Sequence, residues 1–268
     1  MTTVSVIIPF YNSESTIAAT INSVLIQTVP AYEIICVDDC SQDESNKIVH
    51  ALSMKNKKVK LISTRKNYGG PAAPRNIGVD ISTGTHIAFL DADDLWQKNL
   101  LEIYLRYVSE GYSMVSSTKF SFLKQIDFEK HCDINADISN NSEYPKRIVD
   151  FKDLLLVNDI VNSSVLVEAE ILKKIKFNVN TKFIAVEDFL VWCQVHQEFG
   201  KSLLLDLKLV GYRVQKNSLS ANKFRMLIKR HNALKELNIS LVSRYILISQ
   251  FLARKAKKVL HVKKNIFY

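Results

Sequence analysis

GTHIAFLDADDLW, residues 84–96, runs from four consecutive apolar positions (Ile87–Leu90) straight into Asp91, Ala92, Asp93 and Asp94. An unbroken apolar run of that length reads as a strand covered on both faces, as in a parallel sheet. Acidic groups gathered at the end of such a strand repel one another where the backbone is poorly solvated. A divalent cation relieves that cost. Hard oxygen ligands on a turn suit Mn2+ or Mg2+, which also take phosphate and water into their shell. The plainer alternative is a helix beginning near Leu95, with Asp93 and Asp94 as its caps.

Upstream, three similar runs recur at Val4–Ile8, Ile34–Val37 and Val59–Ile62. Between the first two, Ile17, Ile21, Val24, Leu25 and Thr28 keep helical spacing, with Asn12, Ser13 and Ser15 available as caps. Ile48, Val49 and Leu52 mark a second helix, and Pro74–Ile81 a third with Pro near its first turn. The order βαβαβαβ predicts an α/β fold with an open, doubly wound, mostly parallel sheet. Such sheets bind ligands at the carboxyl ends of their strands.

Downstream, Leu100–Val108 reads as a helix and Met114–Phe122 as a strand, followed by a polar stretch at 127–142 expected to be loop. Helical and strand patterns return over Phe151–Val157 and Ser163–Val167. A further helix is expected over Phe189–Phe199, just after Glu187-Asp188, and a strand over Leu203–Tyr212. From Asn222 the chain reads as helical throughout, with Leu234, Leu237, Leu241, Tyr245, Ile248 and Leu252 at three-to-four spacing.

The 268 residues are 47% apolar and 24% charged, which excludes a globally disordered chain. The four cysteines have no CxxC spacing and read as reduced, mostly buried thiols of a cytosolic protein. No signal peptide is apparent at Met1–Phe10, and the longest apolar stretch, Ile239–Leu252, is short and interrupted by Arg244. The net charge of +9 is unevenly spread. From Asn222 onward twelve Lys or Arg stand against one Glu, so that segment carries +11 and the rest −2. A basic amphipathic helix of this kind either packs on the domain with solvated charges or docks on an anionic membrane surface. No recognition motif accompanies the charge, which argues against nucleic acid as a partner.

Other segments offer chemistry at strand ends. Asp38-Asp39 can accept hydrogen bonds from a base or from ribose hydroxyls, or merely form an Asx turn with Ser41 and Asp43. Pro9-Phe10-Tyr11-Asn12 places an aromatic where a base can stack, and it lacks the glycines of a dinucleotide fingerprint or a P-loop. In NYGGPAAPRN, residues 67–76, Gly70 permits close backbone approach. Arg75 there can hold a phosphate or base edge, or form a salt bridge to a nearby Asp. Glu187-Asp188 offers either a helix cap or the base that transfer to a hydroxyl requires. Tyr212-Arg213 with Ser218 and Ser220 can clamp a diphosphate.

Taken together, VSVIIPFYN, IICVDDCSQDES, NYGGPAAPRNIGV, GTHIAFLDADDLW, VEDF and YRVQKNSLS resemble the family 2 inverting glycosyltransferases of the GT-A fold. The resemblance covers 1–220, divided into a nucleotide-binding half (1–98) and an acceptor-binding half (99–220). Residues 221–268 form the basic tail. It implies that Pro9, Tyr11, Glu14, Asn67, Gly70 and Ala92 border the nucleotide-sugar, that Asp39 holds a uracil, and that Arg75 lies near base and phosphates. Asp91 and Asp93 match the DxD element, Asp91 facing ribose and metal and Asp93 binding the metal. Asp94 and Trp96 would border donor sugar or acceptor, and Glu187, Arg213 and Ser218 the acceptor or diphosphate. Asp188 matches the catalytic base. Many members carry His two residues after the Arg of the YR segment. Gln215 stands there in this chain, so the third protein ligand of the metal is left open.

The expected activity is metal-dependent transfer of glucose or galactose from a UDP-sugar to a lipid-linked acceptor of the N-acetylglucosamine-diphospho-undecaprenol type. The product would be a β-linkage in an O-antigen or capsule repeat, made by a cytoplasmic protein peripheral to the inner membrane. A nucleotidyltransferase on a similar sheet and a non-catalytic sugar-nucleotide-binding relative are the alternatives.

Overall fold

The computed structural model describes residues 2–134, 143–214 and 223–264. The first four apolar runs form β1 (Val4–Phe10), β2 (Glu33–Asp38), β3 (Val59–Ser63) and β4 (His86–Phe89), joined by α1 (Ile17–Leu25), α2 (Ser45–Lys55) and α3 (Ala72–Ile81). All their pairings are parallel, in the order β3-β2-β1-β4. The chain continues through β5 (Leu95–Trp96), α4 (Leu100–Ser109), β6 (Met114–Phe122), α5 (Gln125–Ile134) and β7 (Lys146–Val149). Then come α6 (Phe151–Leu156), β8 (Val165–Glu168), α7 (Ala169–Lys174), α8 (Glu187–Phe199) and β9 (Ser202–Arg213). The sheet extends from β4 as β8-β6-β9-β5, with β7 also on β9.

β8 is antiparallel to both neighbours, so β6 and β9 again point the way of β1–β4. Among the described residues, six of nine strands share one direction, and their carboxyl ends meet at a single edge. That edge is where an open α/β sheet holds its ligand.

Side-chain alternation explains why β1, β2 and β4 are buried along their whole length. Val4, Val6, Ile8 and Phe10 of β1 face one buried cluster with Ile17, Ile21, Val49, Leu100 and Tyr104 from α1, α2 and α4. Ile7, Ile87 and Phe89 face the opposite cluster with Val79, Ile171, Phe189 and Trp192 from α3, α7 and α8. Helices on both faces leave no solvated side to the sheet. α3 approaches β1 so closely that a Cβ at Gly78 would lie 2.5 Å from an Ile7 methyl.

One alternative falls away and one expectation needs correction. The segment after Asp94 starts no helix at Leu95. Leu95 and Trp96 instead pair with Gly211 and Val210 of β9, so Asp93 and Asp94 cap nothing. The stretch 127–142 is not all loop, because α5 occupies its first part, while 135–142 lie outside the described residues. Phe128 is buried against Phe122 and directly over Gly211, and this anchor outweighs the polar composition around it.

The basic tail is two helices, α9 (Lys223–Glu236) and α10 (Leu241–Lys264). Asn238 takes the left-handed conformation (φ 58°), and Ile239 N donates back to Leu234 O, an arrangement that ends a helix. Ala233, Leu234 and Leu237 are buried with α8 in the second cluster. Arg230 is also buried, donating to Leu155 O at 2.7 Å and lying over the Phe189 ring. Leu241, Tyr245 and Leu252 stay exposed. The apolar stripe is therefore split between the domain and solvent. No helix among the described residues is long and apolar enough to cross a membrane.

Candidate active site

The acidic turn after β4 is held from three sides. Thr20 Oγ1 of α1 donates to the carbonyls of Ala92 and Asp94, at 2.9 and 3.0 Å. Ser163, in a short turn before β8, accepts from Asp91 N (3.1 Å) and donates to Asp94 Oδ2 (2.6 Å). Arg213, ending β9, donates its backbone N to Asp94 Oδ1 (3.0 Å) and its Nε to Asp93 O (2.9 Å). Asp94 is consequently buried, and Trp96 beside it is buried too, its indole donating to Ser163 O at 2.7 Å. Both are expected from sequence to border the donor sugar or acceptor. The structure buries both, with their polar atoms bonded to Ser163 and Arg213.

Burial pushes the Asp93 carboxyl up to about 6, helped by the charge of Asp91. Asp94 is raised well above the ordinary range, first by burial and then by Asp91 and Asp93. Among the described residues no group of three or more His, Cys, Asp or Glu comes together as a metal site. Asp91 and Asp93 nevertheless form a hard-oxygen pair whose mutual repulsion a divalent cation would relieve, the rest of its shell falling to phosphate and water.

Arg75 is not a surface ligand. It is 2% exposed, with Nη2 on Asp91 Oδ1 (2.7 Å), Nη1 on Glu187 Oε1 (2.9 Å) and the guanidinium over Phe177. It forms the salt bridge that was its alternative reading, as two carboxylates 96 positions apart in sequence converge on it from the turn after β4 and from the start of α8. Asn162 faces it as well, its amide oxygen 3.2 and 3.3 Å from Nε and Nη2 once the amide is oriented to accept. Glu187 is likewise buried, and its Oε2 has no hydrogen-bond partner among the described residues.

Asp188 follows at the first turn of α8. It keeps part of its surface accessible, while its Oδ1 accepts from Phe189 N at 2.6 Å. The packed surroundings push its carboxyl up to about 7, with the Glu187 charge adding to the shift and Arg75 opposing it. Ala185, just before the helix, is held at φ 71°, a conformation costly for a non-glycine residue. Asn12 (φ 47°) and Cys40 (φ 62°) are strained similarly in the loops after β1 and β2.

The β1–β2 side of the edge is organised largely by hydrogen bonds to the backbone. Both Asp39 oxygens accept from Tyr68 N (3.0 Å), and Asn67 Nδ2 donates to Asp39 O (2.9 Å). Asp38 accepts from Ser41 N and Asn46 Nδ2, the Asx-turn arrangement. Glu14 binds the start of α2, accepting from Glu44 N while its own N donates to Asp43. Pro9 is buried in β1, Tyr11 is 48% exposed, and Gly70 packs on Ile184. A small cleft lined by Tyr68, Gly70, Ala72, Asn180 and Glu187 opens beside them. Ser218 and Gln215 lie outside the described residues.

Sequence reasoning missed Ser163, Thr20 and Lys119. Lys119, on β6, lies over the Tyr212 ring and within electrostatic reach of Asp94, Asp188 and Asp91. Burial lowers its pKa against those charges. A lone Lys in a strand gives no signal of this.

The carboxylates expected to cooperate thus gather at one sheet edge, around a buried arginine. Residues 5–176 match Glycosyl transferase family 2, and the chain belongs to that family. It is 32% identical to the UDP-Glc:alpha-D-GlcNAc-diphosphoundecaprenol beta-1,3-glucosyltransferase WfaP of Escherichia coli, over 92% of this chain and 91% of that one. An uncharacterized glycosyltransferase of Haemophilus influenzae is 33% identical over 87% of each chain. Among solved structures, S. aureus TarS in complex with UDP-GlcNAc superposes with a TM-score of 0.65 at 21% identity, covering 93% of this chain and 71% of that one. That likeness is one of fold, the GT-A fold.

Proposed function

We propose that this chain transfers a hexose, glucose or galactose, from a UDP-sugar to a sugar on a lipid diphosphate, with inversion at the anomeric carbon. The observation that carries this reading is the Asp91–Arg75–Glu187 bridge, which joins the DxD turn to the residue next to Asp188. Donor and acceptor chemistry are thereby brought to one place. The printed activity of the WfaP relative, and the UDP-GlcNAc complex of TarS, support the donor and acceptor classes.

Asp188 would accept the proton of the attacking hydroxyl, a role suited to a carboxyl poised near neutral pH and typically worth about 10²–10⁴ in rate. A single displacement turns an α-linked donor into a β-linked product. Mn2+ or Mg2+, held by Asp93 and Asp91, would neutralise charge developing on the departing diphosphate. Arg75 would keep Asp91 and Glu187 in register, and Asp39, Tyr11 and Asn67 would border the nucleotide. Arg213 remains the candidate clamp for a diphosphate. The buried Asp94, held by Ser163 Oγ and by the backbone N of Arg213, would keep the DxD turn rigid.

The same reading places the protein on the cytoplasmic face of the inner membrane, in O-antigen or capsule assembly. The exposed Leu241, Val242, Tyr245 and Ile246 of α10, near Arg244 and Arg254, suit an anionic lipid surface. Radiolabelled UDP-glucose and UDP-galactose, each with synthetic N-acetylglucosamine-diphospho-lipid and Mn2+, test the proposal. A β-linked disaccharide is expected, and no product from any UDP-hexose overturns it. Vesicles rich in anionic lipid should lose affinity for a Leu241→Ser, Tyr245→Ser variant, and unchanged binding rules out the docking.

A further inference from the structure

Lys119 and Tyr212 share one face of the paired strands β6 and β9, with Lys119 Nζ 3.3 Å from the Tyr212 ring centroid. The pairing register slips twice there, between Ser117 and Thr118 and between Thr118 and Lys119. Bulges of this kind re-aim side chains and occur beside active sites. At the slip, Thr118 Oγ1 is buried with no hydrogen-bond partner among the described residues. Lys119 feels the charges of Asp94, Asp188 and Asp91, and Tyr212 feels those three together with Asp93. Both side chains therefore face the acidic site.

None of the ion pairs among the described residues uses Lys119. An ammonium held over an aromatic ring, near carboxylates but paired with none, has its charge available to an incoming anion. Its place in the sheet decides which anion. β4, which leads into Asp91–Asp93, has β1 and β2 on one side and β8 and β6 on the other. Neighbouring strands are about 4.8 Å apart, so β6 stands about 10 Å from β4, on the side away from Tyr11 and Asp39. A nucleotide over β1 and β2 with its diphosphate at β4 leaves the β6–β9 side to the acceptor. In an acceptor sugar carried on a diphosphate, the first phosphate lies within one ring's width of the hydroxyl that attacks.

We propose that Lys119, seated on Tyr212, binds the sugar-linked phosphate of the acceptor and so selects diphosphate-bearing acceptors over neutral glycosides. This rests on the reading of the chain as a transferase acting on lipid-diphosphate-linked sugars. The step is binding only, with no bond made or broken at Lys119.

The test is calorimetric and kinetic, on the full chain with Mn2+ and UDP present. It uses two soluble probes, N-acetylglucosamine-α-diphosphoryl-octyl and octyl N-acetylglucosaminide. Wild-type protein should bind the first more tightly than the second. Lys119→Met should weaken the first by at least about tenfold while leaving UDP affinity and the neutral glycoside within about twofold, and Lys119→Arg should restore most of the loss. Equal losses for both probes would show a merely structural lysine and overturn the proposal. So would a loss confined to UDP, a wild-type protein that does not distinguish the probes, or one that binds neither. Failure of the transfer reaction itself reads separately. Discrimination by binding with no product from any UDP-hexose sinks the proposed reaction and leaves the Lys119 site standing.

Discussion

The two edges of the central sheet treat buried carboxylates in opposite ways. At the amino edge Glu33, 2% exposed, accepts from Ser5 Oγ (2.6 Å), Thr83 N (2.7 Å), Thr83 Oγ1 (3.0 Å) and Lys60 Nζ (2.6 Å). Burial alone would raise its pKa, yet these partners overcome it and hold the group at about 2. At the carboxyl edge the groups are crowded together instead, and burial and mutual repulsion drive Asp93 to about 6 and Asp188 to about 7. The amino edge uses its carboxylate to fasten strands. The carboxyl edge holds Asp93 and Asp188 above the usual carboxylate range, where a cation, a proton or a substrate can act on them.

The largest effect should come from Asp188→Asn, which removes the proposed base and should lower kcat by about 10²–10⁴ with UDP binding retained, read by steady-state kinetics and calorimetry. Arg75→Met strands Asp91 and Glu187 without their shared cation. It should cost about 3–5 kcal/mol in urea unfolding as well as activity, and Arg75→Met combined with Glu187→Gln should recover part of that stability. A loss in the double variant equal to that of Arg75→Met would break the contrast drawn here. At the other edge, Glu33→Gln should cost about 2 kcal/mol at pH 7 and leave kcat unchanged. Because the folded pKa is depressed, that stabilisation is complete above about pH 4.5 and fades as pH falls towards about 2, so the two urea midpoints should converge across that window.

The smallest effects are in the pH profile. A base at about 7 must lose its proton to act, so kcat/KM should rise with pH and level off above that value. The stability linkage runs the other way. A carboxyl whose folded pKa is raised favours the fold most below its unfolded pKa near 4, and that contribution is lost as pH climbs through about 7. Asp188→Asn should therefore flatten the decline in stability between about pH 4 and 7, whereas Glu33→Gln should leave it as it is.

Much of the fold of residues 1–98 was readable from residue order. Parallel strands buried on both faces must be apolar throughout, so β1 to β4 stand out, and the acidic turn after β4 follows directly from the run Ile87–Leu90. What sequence hid was long-range pairing. Nothing in PAAPRN indicates that Arg75 lies between Asp91 and Glu187, and nothing in DADDLW separates the buried Asp94 from its partly exposed neighbours Asp91 and Asp93. α5 was hidden for a related reason. Its polar composition reads as loop, and the seat of Phe128 on Gly211 and the stacking of His131 on Phe120 order it. The tail's periodicity was visible, but not that Asn238 divides it into a helix fastened to α8 and a second helix that packs through Leu247 and Ile248 and leaves Leu241 and Tyr245 exposed.

Ala185 offers an engineering lesson. A glycine there would accept the left-handed backbone without penalty, and a search for heat-tolerant variants would find that exchange attractive. Yet the kinked backbone precedes Asp188 by only three residues. Relaxing it would loosen the footing of Asp188, the proposed proton acceptor, so any gain in thermal endurance should be accompanied by slower turnover.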